Sequence, residues 1–312
     1  MEILELMSTR LAKKDVYSIE DLTGLSKKCD VFICKTQILY LNNISNPRYY
    51  FISMFTCIGI FFFIQHILPT LTYPIILILA SEDITFPTGK KDVRYKNFKS
   101  QSEQQLIKSM IDHPMIKRIF VENLDTLHPK LTPIPLGIHP VSDIKFMNLY
   151  NDLQLTLTFD TPRTESILCI HRLRNDGTSQ WDDRKKVTEY CSTIWKPYVR
   201  YFEYLTNDDF KTKLLESKFV LCVHGGGMDP SPKIWQALLC GCMPIIETST
   251  LDEAYGRFPV IYVDSWNENS ITSEKIYEWN KIYENIYKDT EFRKYVIMML
   301  TLDYWWNIIS NS

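Results

Sequence analysis

The chain has 312 residues, with 35 Lys and Arg against 37 Asp and Glu, a formal net charge of −2. Hydrophobic residues make up 45% and charged residues 23%, ordinary globular composition that excludes a disordered or collagen-like chain. The balanced charge gives no support to nucleic-acid binding, which shows as a basic excess, and at this length one core usually splits, so two domains are expected.

The first 30 residues carry Glu2, Glu5, Arg10, Lys13, Lys14 and Asp15, so no signal peptide is expected at the start. From Tyr49 to Ser81 there is no Lys, Arg, Asp or Glu. Ser53, Thr56 and Gly59 interrupt this run, and Pro69 and Pro74 divide it. A buried strand near 49–55 and a helix near 58–68 are expected there; the alternative is a membrane anchor at 51–68. The eight cysteines are scattered through apolar runs with no CxxC pair, and Cys240 and Cys242 read as small buried thiols. A reducing, cytoplasmic setting follows, with a Golgi- or ER-type membrane as the alternative if 51–68 is an anchor.

Short apolar runs then recur: Val31–Cys34, Tyr50–Phe55, Ile75–Ala80, Arg118–Val121, Ile167–Ile170, Phe219–Val223, Met243–Ile246 and Val260–Val263. Amphipathic stretches alternate with them: Gln101–Asp112, Asp182–Ser192, Asp208–Ser217 and Lys233–Leu239. The alternation predicts α/β architecture with parallel sheets buried on both faces. Polar residues and Pro162 break the pattern near 148–163, which places the domain boundary there, with domains 1–155 and 156–312. The tail from Ile276 to Ile309 reads as helical and is expected to pack across both domains.

Ligands of open α/β sheets bind beyond the carboxyl ends of the strands. Those ends carry Ser81-Glu82-Asp83, Glu122-Asn123, His171-Arg172, His224-Gly225-Gly226-Gly227 and Asp264-Ser265-Trp266. The segment 218–247 is the sharpest: a buried strand, three glycines, a short helix, then Gly241 and another strand. Asp229 or Ser231 can cap that helix, Pro232 suits its first turn, and Gly241 ends it. Lys233 in the first turn opposes the helix dipole unless it faces an anion. Together these features form a candidate diphosphate cradle; the alternative is a tight strand–helix turn whose glycines serve packing.

Gly226, Asp229, Ser231, Lys233, Trp235, Ala237, Leu238, Gly241, Pro244, Ile245 and Ile246 follow a pattern similar to the C-terminal motif of exostosin-like glycosyltransferases. Tyr255–Val260 and Val263–Trp266 continue the likeness. In the first half, Phe120–Asn123 followed by Lys130–Ile138 resembles the acceptor-side segment of that family. The resemblance spans roughly 70–310. It implies the GT-B fold, two Rossmann-like domains facing across a cleft. It also implies transfer of a sugar from a UDP- or GDP-linked donor to a glycan, glycoprotein or other hydroxyl acceptor, without a metal or other cofactor. Gln236 departs from the pattern, because a Glu usually contacts the nucleotide ribose there; a Gln amide lacks the charge that strengthens that bond.

On this reading the donor is held by Arg172, Arg184, His224, Gly225, Gly226, Gly227, Asp229, Ser231, Lys233 and Gln236. Asp83 is the first candidate for the proton acceptor of an inverting transfer, and Glu82 the second. No metal ligands are expected, since there is no D-x-D motif and Asp182-Asp183 sit where a helix starts. The rival is a catalytically inactive module that binds a nucleotide sugar or glycan, which Gln236 favours.

Overall fold

A computed structural model describes residues 5–96, 98–138, 162–287 and 289–312. Their contacts divide into two units. Residues 5–138, 226–229 and 302–312 form the first, and residues 162–225 and 230–301 the second. The expected linker at 148–163 lies, up to residue 161, outside the described residues. Each unit is a Rossmann-like α/β domain built on one sheet.

The first domain lays down β1 (Val31–Cys34), β2 (Gln37–Tyr40), β3 (Tyr49–Ser53), β4 (Ile75–Ala80), β5 (Ile116–Val121) and β6 (Leu131–Pro133) in the order β2-β1-β3-β4-β5-β6. Only β2 runs antiparallel, as a hairpin partner of β1. Every residue of β1 and β4 is buried, which explains their unbroken apolar sequence. A single helical turn, α1 (Leu25–Lys28), precedes β1. The charge-free stretch resolves into β3, a short helix α2 (Ile58–Phe62) that continues through turns to Thr70, and β4. Among the described residues no helix is long and apolar enough to cross a membrane. Helix α3 (Gln101–Asp112) starts at a reciprocal cap: Glu103 N–H donates to Ser100 Oγ at 3.2 Å, and Ser100 N–H donates to Glu103 Oε2 at 3.1 Å.

The second domain holds β7 (Ile167–Ile170), β8 (Val199–Phe202), β9 (Phe219–Leu221), β10 (Met243–Glu247) and β11 (Ile261–Val263), all parallel, in the order β11-β10-β9-β7-β8. Between them run α4 (Asp182–Ser192), α5 (Asn207–Glu216), α6 (Lys233–Leu239) and α7 (Asp252–Tyr255); α8 (Ser273–Tyr287) and α9 (Thr290–Met299) follow. Trp195, Trp266 and Trp279 pack into the core with Ile167, Val187, Phe219, Met243 and Val263. The last helix, α10 (Leu302–Ser310), groups with the first domain, where the Trp306 ring meets Tyr49 at 4.9 Å and Lys28 pairs with Asp303 at 2.8 Å.

Helix α6 differs from its expected form at its start and matches it at its end. Its N-cap is Pro232, which has no side chain able to cap it, and not Asp229 or Ser231. Ser231 holds a positive φ of 84°, and Asp229 Oδ2 instead accepts from the Leu136 amide at 3.4 Å. At the other end Gly241 adopts φ 68°. Its N–H reaches Leu238 O at 3.2 Å while that of Cys242 reaches Ala237 O at 2.9 Å, the paired closure that needs a left-handed residue. Arg163 Nη2 donates to Cys240 O at 2.6 Å, a cation where the helix dipole welcomes one. All eight cysteines are free and buried, and burial pushes the Cys240 thiol up to about 12.

Candidate functional site

In the second sheet the chain leaves β7 for β8 on one side and then returns to β9, β10 and β11 on the other. The order reverses between β7 and β9, and ligands of open α/β sheets sit at the carboxyl ends of the two strands flanking such a reversal. The residues following those two strands are His171-Arg172 and, beyond Cys222-Val223, His224-Gly225.

Three groups meet there. The Lys233 ammonium, from the first turn of α6, donates to Ile170 O at the end of β7 (2.5 Å). Arg184, from the first turns of α4, donates through Nε to His224 O (3.0 Å) and through Nη1 to Arg172 O (3.4 Å). A Cβ on Gly225 would stand 2.8 Å from Arg184 Nη2, so the loop passes close over the guanidinium. Arg172 is exposed; Arg184, His224, Gly225, Ser231 and Lys233 are half-buried; Gln236 is buried one turn into α6. His171 is a packing residue, with Nε2 2.8 Å from Thr188 Oγ1 and 3.1 Å from Arg184 O.

Charge here is one-sided around Lys233. Burial, with Arg184 beside it, lowers its ammonium to about 8. Among the described residues it has no carboxylate partner. A half-buried cation at the positive end of a helix, without an anion, is electrostatically unfavourable in isolation. An anionic ligand at this place would relieve it.

Asp183, His224 and Glu247 approach from the start of α4 and the ends of β9 and β10, each half-buried. Their ligand atoms lie within 4.8 Å of one another, with His224 Nε2 3.6 Å from Asp183 Oδ2. Among the described residues this is the group able to hold a metal ion.

In the first domain the ends of β4 and β5 carry a denser and more balanced network. Arg10 reaches Asp83 Oδ1 at 2.8 Å and Glu122 Oε1 at 2.7 Å. Arg94 reaches Asp83 Oδ2 at 3.0 Å and Asp92 Oδ2 at 2.6 Å, and Lys13 pairs with buried Glu82. Glu122 Oε2 also accepts from Thr9 Oγ1 (2.6 Å) and from the amide of Ser81 (2.8 Å), itself at φ 79°. Burial raises the Glu122 carboxyl to about 7 against the pull of Arg10. Burial acts the same way on Asp83, but there Arg10 and Arg94 prevail and hold its carboxyl below the usual range.

The 226–229 loop packs onto this network. A Cβ on Gly226 would overlap Asp83 Oδ2 and Arg94 Nη2, and one on Gly227 would overlap Asn123 Oδ1. All three glycines therefore permit close approach to the protein's own side chains: Gly226 to Asp83 and Arg94, Gly227 to Asn123, and Gly225 to Arg184. Sequence reasoning brought Asp83 and Gly226 forward separately, and the fold places them in contact. That reasoning gives Arg10 and Arg94 no role, and Glu122 and Asn123 only a place at a strand end and in the acceptor-side segment. Glu122 and Asn123 had a signal, since they follow β5 directly; Arg10 and Arg94 lie in irregular segments where no period marks them.

No protein-family model matches the chain, and no curated protein matches it. Among solved structures it is similar to a sucrose-phosphate synthase from Thermosynechococcus elongatus, at 10% identity and a TM-score of 0.41, over 85% of this chain and 75% of that one. It is also similar to the spinosyn rhamnosyltransferase SpnG complexed with thymidine diphosphate, at 13% identity and a TM-score of 0.36, over 81% of this chain and 68% of that one.

Proposed function

We propose that the protein is a glycosyltransferase of the exostosin-like kind that takes a UDP- or GDP-linked sugar as donor, the diphosphate lying at the strand reversal of the second domain. The observation that carries the reading is Lys233: a half-buried cation, without a carboxylate partner among the described residues, in the first turn of the helix that follows the glycine loop. Arg184 stands beneath Gly225 and Arg172 follows β7, so three cationic residues belong to the reversal point.

In this mechanism an acceptor hydroxyl attacks the anomeric carbon while the bond to the nucleoside diphosphate breaks. Lys233 and Arg184 take the charge of the departing diphosphate, and the hydroxyl proton passes to a carboxylate, with Asp83 and Glu82 as the candidates in the first domain. The transfer inverts the anomeric configuration and needs no metal, since the cations supply the charge. Acceptors are a glycan or another hydroxyl compound, which places the activity in glycan biosynthesis.

One observation favours a second reading, a module that binds the donor or a glycan without turnover. Both oxygens of Asp83 are engaged by arginines, and its proton affinity is lowered, the reverse of what a general base needs. Thermal-shift titration with UDP- and GDP-sugars, followed by assay of sugar released with and without acceptors, separates the two. Stabilisation with turnover supports the transferase, and stabilisation without turnover supports the binding module. Absence of any stabilisation at millimolar nucleotide refutes the transferase and the donor-binding module alike, and leaves only a glycan as the module's ligand.

A further inference from the structure

We infer that Asn123 is a positioning residue for donor binding, the side chain that sets the path of the 226–229 loop. The words "donor binding" rest on the transferase reading; the control of the loop does not.

Asn123 is 1% exposed, directly after β5. Its Oδ1 accepts from the Met228 amide at 2.7 Å and the Asp229 amide at 3.0 Å. Its Nδ2 donates to Glu82 O at 2.9 Å and Glu122 Oε1 at 3.2 Å. Two acceptor sites and two donor hydrogens are the full capacity of a carboxamide, and all four are used. Gly227 lies against the same Oδ1 closely enough that no side chain fits there. The loop is thus fixed on Asn123 Oδ1 both by the close approach that the missing Cβ of Gly227 permits and by the hydrogen bonds of the next two amides.

Two consequences follow. The Met228 and Asp229 amides are committed to Asn123, so the loop can serve a diphosphate by its path and through the groups it carries, not through those two N–H donors. The same carboxamide holds the Glu82 backbone and the Glu122 carboxylate, the neighbours of Asp83. Loop and carboxylates therefore share one rigid fixture, and a fully satisfied buried polar network specifies a single geometry. A carboxylate keeps the acceptor half of this role and loses the donor half; an alanine loses both.

The test compares wild type, Asn123→Ala and Asn123→Asp by hydrogen exchange of the Met228 and Asp229 amides, by melting temperature, and by calorimetric titration with UDP and GDP. Asn123→Asp keeps the acceptor for both amides but loses the donor to Glu82 O and sets a second acid beside Glu122. It should melt lower than wild type, yet keep slow exchange and nucleotide affinity within about twofold of wild type. Asn123→Ala should speed exchange at both amides and weaken the nucleotide by about tenfold or more, the scale of one or two lost buried hydrogen bonds. Affinity that simply follows melting temperature across the three proteins overturns the inference, because a merely structural residue behaves that way. Exchange unchanged in Asn123→Ala also overturns it. Should none of the proteins bind UDP or GDP, the transferase reading fails, and the exchange data alone decide whether Asn123 sets the loop.

Discussion

In the second domain the parallel strands extend both ways from β7, whereas in the first they add in one direction only, from β1 through β3, β4 and β5 to β6. Right-handed crossovers in opposite directions place their helices on opposite faces, which opens a crevice at the reversal; crossovers in one direction do not. The charges follow the same division. At the strand ends of the first domain Arg10, Lys13 and Arg94 pair with Glu82, Asp83, Asp92 and Glu122. At the reversal in the second, Lys233 donates to a backbone carbonyl and has no carboxylate partner among the described residues. Compensated charge suits a scaffold that holds a shape. Uncompensated charge suits a place where a ligand arrives.

Breaking the compensated side should have the larger effect. Arg10→Met removes the guanidinium from buried Glu122 and should cost about 3–5 kcal/mol at pH 8, the usual consequence of stranding one member of a buried pair. The loss should shrink in acid. Glu122 titrates near 7 when folded and lower when unfolded, so the native state holds an extra proton between about 4.5 and 7. Its contribution to stability is therefore complete at low pH and falls as pH rises through that window. Urea unfolding at pH 5.5 and pH 8 measures this, and an equal loss at both values would mean that Arg10 acts by packing rather than by charge.

Sharpening the uncompensated side calls for Lys233→Ala. Affinity for UDP or GDP should fall by about 1.5–3 kcal/mol, the range for a charge-assisted hydrogen bond. The free protein should keep its melting temperature or gain slightly at pH 7, because a cation opposed by burial and by the helix dipole has gone. Wild-type stability should rise between about pH 8 and 10.5, where the unfolded chain still binds the lysine proton and the native one does not. Nucleotide affinity of the wild type should decline as pH passes 8, and the alanine variant should lack that step. Equal affinities in the two proteins would remove the diphosphate from this place.

The comparison also explains which parts were legible beforehand. Interior strands such as β1, β4 and β10 are buried on both faces and announce themselves as unbroken apolar runs. The three strands absent from the sequence reading, β2, β6 and β8, are all at sheet edges. They are short or partly exposed, with Arg200 in β8 and Pro133 in β6, and an edge strand need not be apolar on both faces. The glycine loop and Lys233 were legible because turn chemistry and helix dipoles are local. The network around Asp83 was not, because Arg10 lies 73 residues from Asp83 and only the fold brings them together.

The smallest expected effect concerns a metal. Asp183, His224 and Glu247 are spaced so that a divalent ion could draw them together. Their surroundings argue otherwise. Asp183 lies 3.5 Å from Lys186 and 3.6 Å from His224, and Arg184 donates to the carbonyl of His224 itself. A dication would have to displace or outweigh cations already present, at distances where like charges repel strongly. The same cations are what the transferase reading assigns to the diphosphate, so the two roles compete for one place. Nucleotide titrations in EDTA, in magnesium and in manganese should therefore agree within about twofold, which is about 0.4 kcal/mol on the affinity scale. Affinity that collapses in EDTA and returns with manganese, but not in a His224→Ala variant, would reverse the assignment. It would make the triad rather than Lys233 the anchor of the diphosphate, and the uncompensated charge of the second domain would then need another explanation.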